Sequence, residues 1–134
     1  MKALEIQHTE DPGARIAREI GDVSWFELMG PTVLVVQYNP GSHGNEVKTK
    51  GGIIINTDEW DYQGKVGYVL SVGPLAFRDS DDGRYRFSGR RAEVGQWVVY
   101  RTSDGLQLML DQHLCRVLQD VHILGVIPQP DRVY

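Results

Sequence analysis

Four histidines, His8, His43, His113 and His122, and one cysteine, Cys115, are the residues of this chain best suited to hold a metal or to act as base and nucleophile. No histidine has a second strong ligand at zinc-site spacing. The nearest approach is His113-Leu114-Cys115, which puts both polar groups on one side of a strand. That pair is half a zinc site; its plain alternative is a partly exposed strand. The acidic run Asp79-Ser80-Asp81-Asp82-Gly83 invites a calcium reading. However, an EF-hand loop needs Gly at the sixth position and Glu at the twelfth, and here Gly is fifth and Arg90 twelfth. A solvated turn fits better. No serine elbow, phosphate loop or dinucleotide fingerprint is present. The expectation is a protein that is not an enzyme, with no catalytic residues, no metal and no cofactor.

Recognition chemistry is better represented. Lys48-Thr49-Lys50-Gly51-Gly52 runs directly into Ile53-Ile54-Ile55 and then into Asn56. The surrounding stretch from Asn39 to Gly64 is polar and glycine-rich. Exposed aliphatic area costs about 25 cal/mol per Å², so flexible loops normally avoid it. Two readings follow. The three isoleucines are a half-buried strand, or they are a tethered tripeptide that docks in a partner's groove. A loop that orders on binding loses about 1–2 kcal/mol of entropy per fixed residue. A single copy would bind weakly, and several copies on one ring would bind well through avidity.

The elements that must position this tripeptide are mostly strands. Asp11 as N-cap and Pro12 at the first helical position start a short helix, Ile16 and Ile20 share its face, and Gly21 ends it. Trp25, Phe26, Leu28 and Met29 follow as an apolar cluster expected to cover a face of the fold. Strands are expected at Thr32–Tyr38, Gly67–Val72, Gln96–Arg101, Leu106–Leu110, His113–Leu118 and Ile123–Ile127. Ala76–Arg78 and Tyr85–Phe87 flank the acidic turn and read as a β-hairpin. Short strands separated by Gly and Asp-Gly turns indicate a mainly β fold, a small barrel.

The chain has 134 residues, enough for one domain. No apolar run approaches the ~20 residues of a bilayer helix. The N-terminus lacks a signal core, and a lone cysteine forms no internal disulfide, so the expected place is the cytoplasm. Net charge is −4, with 3 basic and 6 acidic residues in 1–30 and 8 of each in 73–134. No segment is basic enough for a general nucleic-acid binder.

In order along the chain, these segments resemble the GroES family of co-chaperonins. Thr32-Val33-Leu34-Val35 is similar to its first strand, and Thr49–Ile55 to its mobile loop ending in Gly-Gly and an aliphatic tripeptide. Gly67-Tyr68-Val69-Leu70-Ser71-Val72-Gly73-Pro74 is similar to Gly-x-Val-x-x-Val-Gly-Pro. Val94-Gly95-Gln96 is similar to Val-Gly-Asp, with Gln96 in place of Asp. Asp120–Ile127 is similar to the closing Asp-Ile-Leu-Ala strand.

The resemblance implies a GroES-like β-barrel over 31–134, with a mobile loop at 39–62 and a roof hairpin at 76–87. Residues 1–30 would be an N-terminal helical extension. It also implies a homo-oligomeric ring, usually heptameric, that caps a GroEL-type chaperonin. Ile53, Ile54 and Ile55, presented by Gly51 and Gly52, would dock on the apical domains. Val33, Leu34, Val35 and Val36 of one subunit would pair with Ile123, Leu124, Val126 and Ile127 of its neighbour. The extension and the Asn39–Gly44 sequence are most similar to phage-encoded co-chaperonins, whose client would be a capsid protein. A second use of the same barrel is as a structural or decoration protein of a virion. A detached alcohol-dehydrogenase barrel is excluded by the missing zinc cysteines and nucleotide domain.

Overall fold

The computed structural model describes residues 10–38, 65–84 and 86–133, together with the backbone alone of 5–6, 47–48 and 54–55. Helix α1 spans Pro12–Ile20. Its start is fixed by Asp11, whose carboxylate accepts from the Ala14 amide at 3.0 Å, and by Pro12 at the first position. Gly21, at φ 72°, ends it. Ile16 and Ile20, one turn apart, are buried as the spacing predicted.

Six antiparallel strands form the main sheet, in the order β7-β8-β2-β5-β6-β9. They are β2 (Thr32–Gln37), β5 (Val66–Val72), β6 (Trp97–Val99), β7 (Leu106–Leu110), β8 (His113–Gln119) and β9 (Gly125–Ile127). Three two-residue strands make a second sheet, β1 (Glu5–Ile6), β3 (Val47–Lys48) and β4 (Ile54–Ile55). The fold is mainly β, with one α-helix among the described residues, as the sequence predicts.

Strand β2 organises the packing. Leu34 and Val36 point into one core with Cys115, Trp97, Ile16 and Ile20. Val33 and Val35 point into another with Val69, Val98, Tyr100 and Leu118. The sheet is thus covered on both faces, by α1 on one and by the 76–92 segment, through Ala76 and Ala92, on the other. A strand buried on both sides needs apolar residues without alternation, and TVLVV supplies them. The β2–β5 register slips between Leu34 and Val35, so one extra β5 residue is accommodated there.

The strand predicted as an intersubunit partner is therefore the centre of its own sheet. Val33–Val36 pair with Cys115–Leu118 of β8 on one side and with Tyr68–Val72 of β5 on the other. With both edges occupied and all four side chains buried, Val33, Leu34, Val35 and Val36 cannot add to a neighbour's Ile123–Ile127. A continuous apolar strand suits an interface and a two-faced core equally, so composition alone left the choice open.

Three further expectations change. The described residues of 76–87 contain no strand, so the roof hairpin has no ladder; side chains close the loop instead. The last strand begins at Gly125 rather than Ile123, because Asp120–His122 form a 3-10 turn. The 25–29 cluster divides. Phe26 and Leu28 pack against the α1 core, whereas Trp25 and Met29 stay 63% and 80% exposed. Between β7 and β8 the two-residue turn Asp111-Gln112 has φ of 47° and 69°, the doubly left-handed geometry that matches strand twist.

Candidate functional site

No catalytic cluster forms among the described residues, and no group of three or more metal-ligating side chains comes together there. His113 and Cys115 do share a face of β8, but both are buried. His113 lies 3.5 Å from the Glu19 carboxylate of α1, and Cys115 sits in the core. The pair joins helix to sheet. No helix among the described residues is long and apolar enough to cross a membrane.

Gly51, Gly52 and Ile53 lie outside the described residues. Ile54 and Ile55 form β4, whose backbone pairs antiparallel with Val47 and Lys48 of β3. On its other side β3 pairs with Glu5 and Ile6. Within the expected mobile loop 39–62, only Val47–Lys48 and Ile54–Ile55 are among the described residues, and these are paired. This register brings the start of the chain alongside the strand facing the isoleucines.

The second region of interest is the open edge of the main sheet. Strand β9 pairs with β6 through Trp97↔Ile127, Val98↔Val126 and Val99↔Gly125, and no other described strand pairs with it. Leu124 and Val126 are 58% and 47% exposed, whereas Ile123 and Ile127 are half-buried. Of the predicted interface residues, those at the C-terminal end therefore are available on an edge, and those of β2 are not.

Beside this edge lies a cavity of about 450 Å³ lined by Phe77, Phe87, Arg86, Arg90, Arg91 and residues 123–126, among others. Two of its lining residues are tied to the rest of the fold by specific contacts. Phe77 has a φ of 62°, unusual for a bulky residue, and its amide donates to the buried Asp120 carboxylate at 2.9 Å. Its ring meets Phe87 edge-on at 5.5 Å. Asp79 closes the loop by accepting from the Phe87 amide at 2.6 Å. At the tip, the Ser80 hydroxyl and the Arg84 amide hold the Asp82 carboxyl below the ordinary aspartate range. The acidic run is thus a hydrogen-bonded turn.

The family whose model matches is the chaperonin 10 kDa subunit, over residues 26–127. The chain belongs to that family. The match takes in every strand of the six-stranded sheet and begins at residue 26, six residues before Thr32. No curated protein matches the chain. Gln96 stands where the resemblance has Asp. Gln96 Oε1 accepts from the Glu93 amide at 2.9 Å and closes the turn before β6.

Sequence reasoning missed Arg116, Asp120 and the three arginines of the cavity. Arg116 is buried in β8, its guanidinium 5.2 Å above the Tyr100 ring. It donates to the carbonyls of Thr102 and Asp104 at 2.6 and 2.7 Å, and to Gln37 Oε1 at 3.2 Å. A cation inside an apolar strand was the available signal. The adjacency of Arg90 and Arg91, with Arg86 four residues before, was a second.

Proposed function

We propose that this chain is a co-chaperonin that forms a ring lid on a GroEL-type chaperonin and assists ATP-dependent folding, the ATP being hydrolysed by the chaperonin. The observation that carries the reading is the chaperonin 10 match across residues 26–127, coincident with the six-stranded sheet. Ile53, Ile54 and Ile55, with Gly51 and Gly52 as the tether, are proposed as the segment that docks on the apical domains. Their placement beside a glycine pair in a polar stretch supports this. Docking through a few aliphatics per subunit makes each contact weak and leaves ring avidity to supply affinity, which permits release in each cycle.

The ring contact is proposed at the β9 edge. Glu27, Leu28 and Met29 belong to no helix or strand, and their amides bond to no described group. A segment without a strand partner and an unpaired strand edge in one molecule are complementary between copies. We propose a seven-membered ring in the cytoplasm of a phage-infected cell, with a capsid protein as client. The helix-bearing segment ahead of the family match is what supports a phage source. Neither the fold nor the family match favours the virion-component alternative.

Co-elution with GroEL and ATP on size exclusion tests the function. The Ile53→Ser, Ile54→Ser, Ile55→Ser triple variant is expected to keep its oligomeric state and lose co-elution. Unchanged co-elution would overturn the docking assignment, and unfolding of the variant would return the three isoleucines to a core role.

A further inference from the structure

We propose that the turn Pro130–Arg132 is a clasp on the stem of the segment that carries the isoleucines, with Asp131 and Tyr38 as positioning residues for its docking. The inference deepens the docking reading above and rests on it. Three observations carry it.

The first is a buried polar pair. The Tyr38 hydroxyl donates to Asp131 Oδ1 across 93 residues of chain, and both residues are buried. Burial strips a carboxylate of its water, so it is tolerated only where a donor meets it. The turn around Asp131 is itself seated in the fold. Pro130 is buried, and Val133 packs against the core that holds Leu34, Trp97 and Ile16. Pro128 and Pro130 restrict the backbone leading into the turn, so less freedom is lost when it seats. It lies beyond the family match, which ends at residue 127.

The second is place. Tyr38 and Lys65 are the described residues that flank 39–64. The two limbs are joined at that point. The Tyr38 amide donates to the Val66 carbonyl at 2.8 Å, and the Tyr100 amide to the Lys65 carbonyl at 2.9 Å. The Tyr38 ring meets Trp97 edge-on at 5.3 Å. Backbone, ring and hydroxyl thus hold Tyr38 from three directions, and the hold on the hydroxyl comes from the 130–132 turn. The third is the change of composition. Tyr38 closes the apolar run that begins at Val33, and the polar, glycine-rich stretch starts at Asn39. A strand frays where its apolar packing stops, so a side-chain bond at its last packed residue is the contact best placed to prevent fraying. A frayed stem would lengthen the tether of the isoleucines. A held stem reduces the freedom they lose on docking. Asp131 acts on docking through Tyr38.

Amide-resolved hydrogen exchange on the full chain tests this, together with affinity for GroEL in the presence of ATP. Tyr38→Phe and Asp131→Ala are each expected to speed exchange at the amides of residues 38 and 100 by about 10-fold or more. Amides of the β2–β8 ladder should change by less than about 2-fold. Both variants should keep the wild-type oligomeric state and bind GroEL about 5-fold more weakly. Asp131→Asn retains an acceptor oxygen and should restore both readouts. Tyr38→Phe removes a single oxygen, so it decides the matter if Asp131→Ala does not fold. Unchanged exchange at both stem amides overturns the proposal. Equal acceleration throughout β2 and β8 also does, because it signals lost core stability. Faster stem exchange with wild-type affinity overturns the positioning role. A wild-type chain that does not bind GroEL faults the functional reading, and the exchange experiment then still upholds or overturns the clasp.

Discussion

Strands β2 and β9 are built from the same kind of residue and meet opposite fates. TVLVV of β2 is buried on both faces and paired on both edges. Leu124 to Ile127, leading into and through β9, pair on one edge only and leave Leu124 and Val126 in solvent. Hydrophobicity therefore does not say which strand is core and which is contact surface. What separates them is the number of neighbours the chain itself supplies. For β2, β5 and β8 close both edges; for β9, β6 closes one.

The comparison is broken most severely at its buried end. Leu34→Ala removes a side chain with no solvent exposure and is expected to cost about 3–4 kcal/mol, read by urea denaturation. Arg116→Ala comes next. It leaves the Thr102 and Asp104 carbonyls and Gln37 without their donor, for an expected loss of about 2–3 kcal/mol by the same measurement. Gly67→Ala probes how closely β5 approaches β2. An added Cβ would lie 2.8 Å from Val35 Cγ2 and 3.0 Å from Tyr100 Cε1, and an overpacking cost of about 1–2 kcal/mol should appear as a lowered Tm. At the other end, Leu124→Ser with Val126→Ser should change the stability of the isolated chain by less than about 0.5 kcal/mol. The same pair should abolish assembly. A large destabilisation of the monomer would mean that β9 is core after all, and the contrast with β2 would vanish.

Local signals carried well into structure. Asp11-Pro12 start α1 and Gly21 stops it, because capping acts over a few residues of contiguous chain. Ile16 and Ile20 are buried by helical spacing alone. The strands from Leu106 to Gln119 were legible for a similar reason: alternation and a short turn fix a hairpin locally. The roof segment was not. Its Asp-Asp-Gly tip is a genuine turn, yet the flanking residues are held by Asp79 and Asp120 rather than by a ladder. Asp120 is 43 residues from Phe77, so no window of sequence around the turn contains the group that shapes it.

The candidate site divides in the same way. The glycine pair and isoleucine run stand out in sequence because they contradict their polar surroundings. The cavity beside β9 does not, because its arginines, phenylalanines and edge strand come from three separated stretches, none unusual alone.

By itself the sequence determined that the chain is mainly β, where its helix begins and ends, and which short segment is too apolar for its setting. Periodicity, capping and composition are properties of neighbouring residues, and they act before the chain closes on itself. Only the tertiary structure decided that β2 is the middle of a sheet, that β9 is an edge, and that Arg86, Arg90 and Arg91 line one cavity with Phe77 and Phe87. Edge or centre is a matter of which distant strands arrive alongside, and that is set by packing two cores at once against a single sheet.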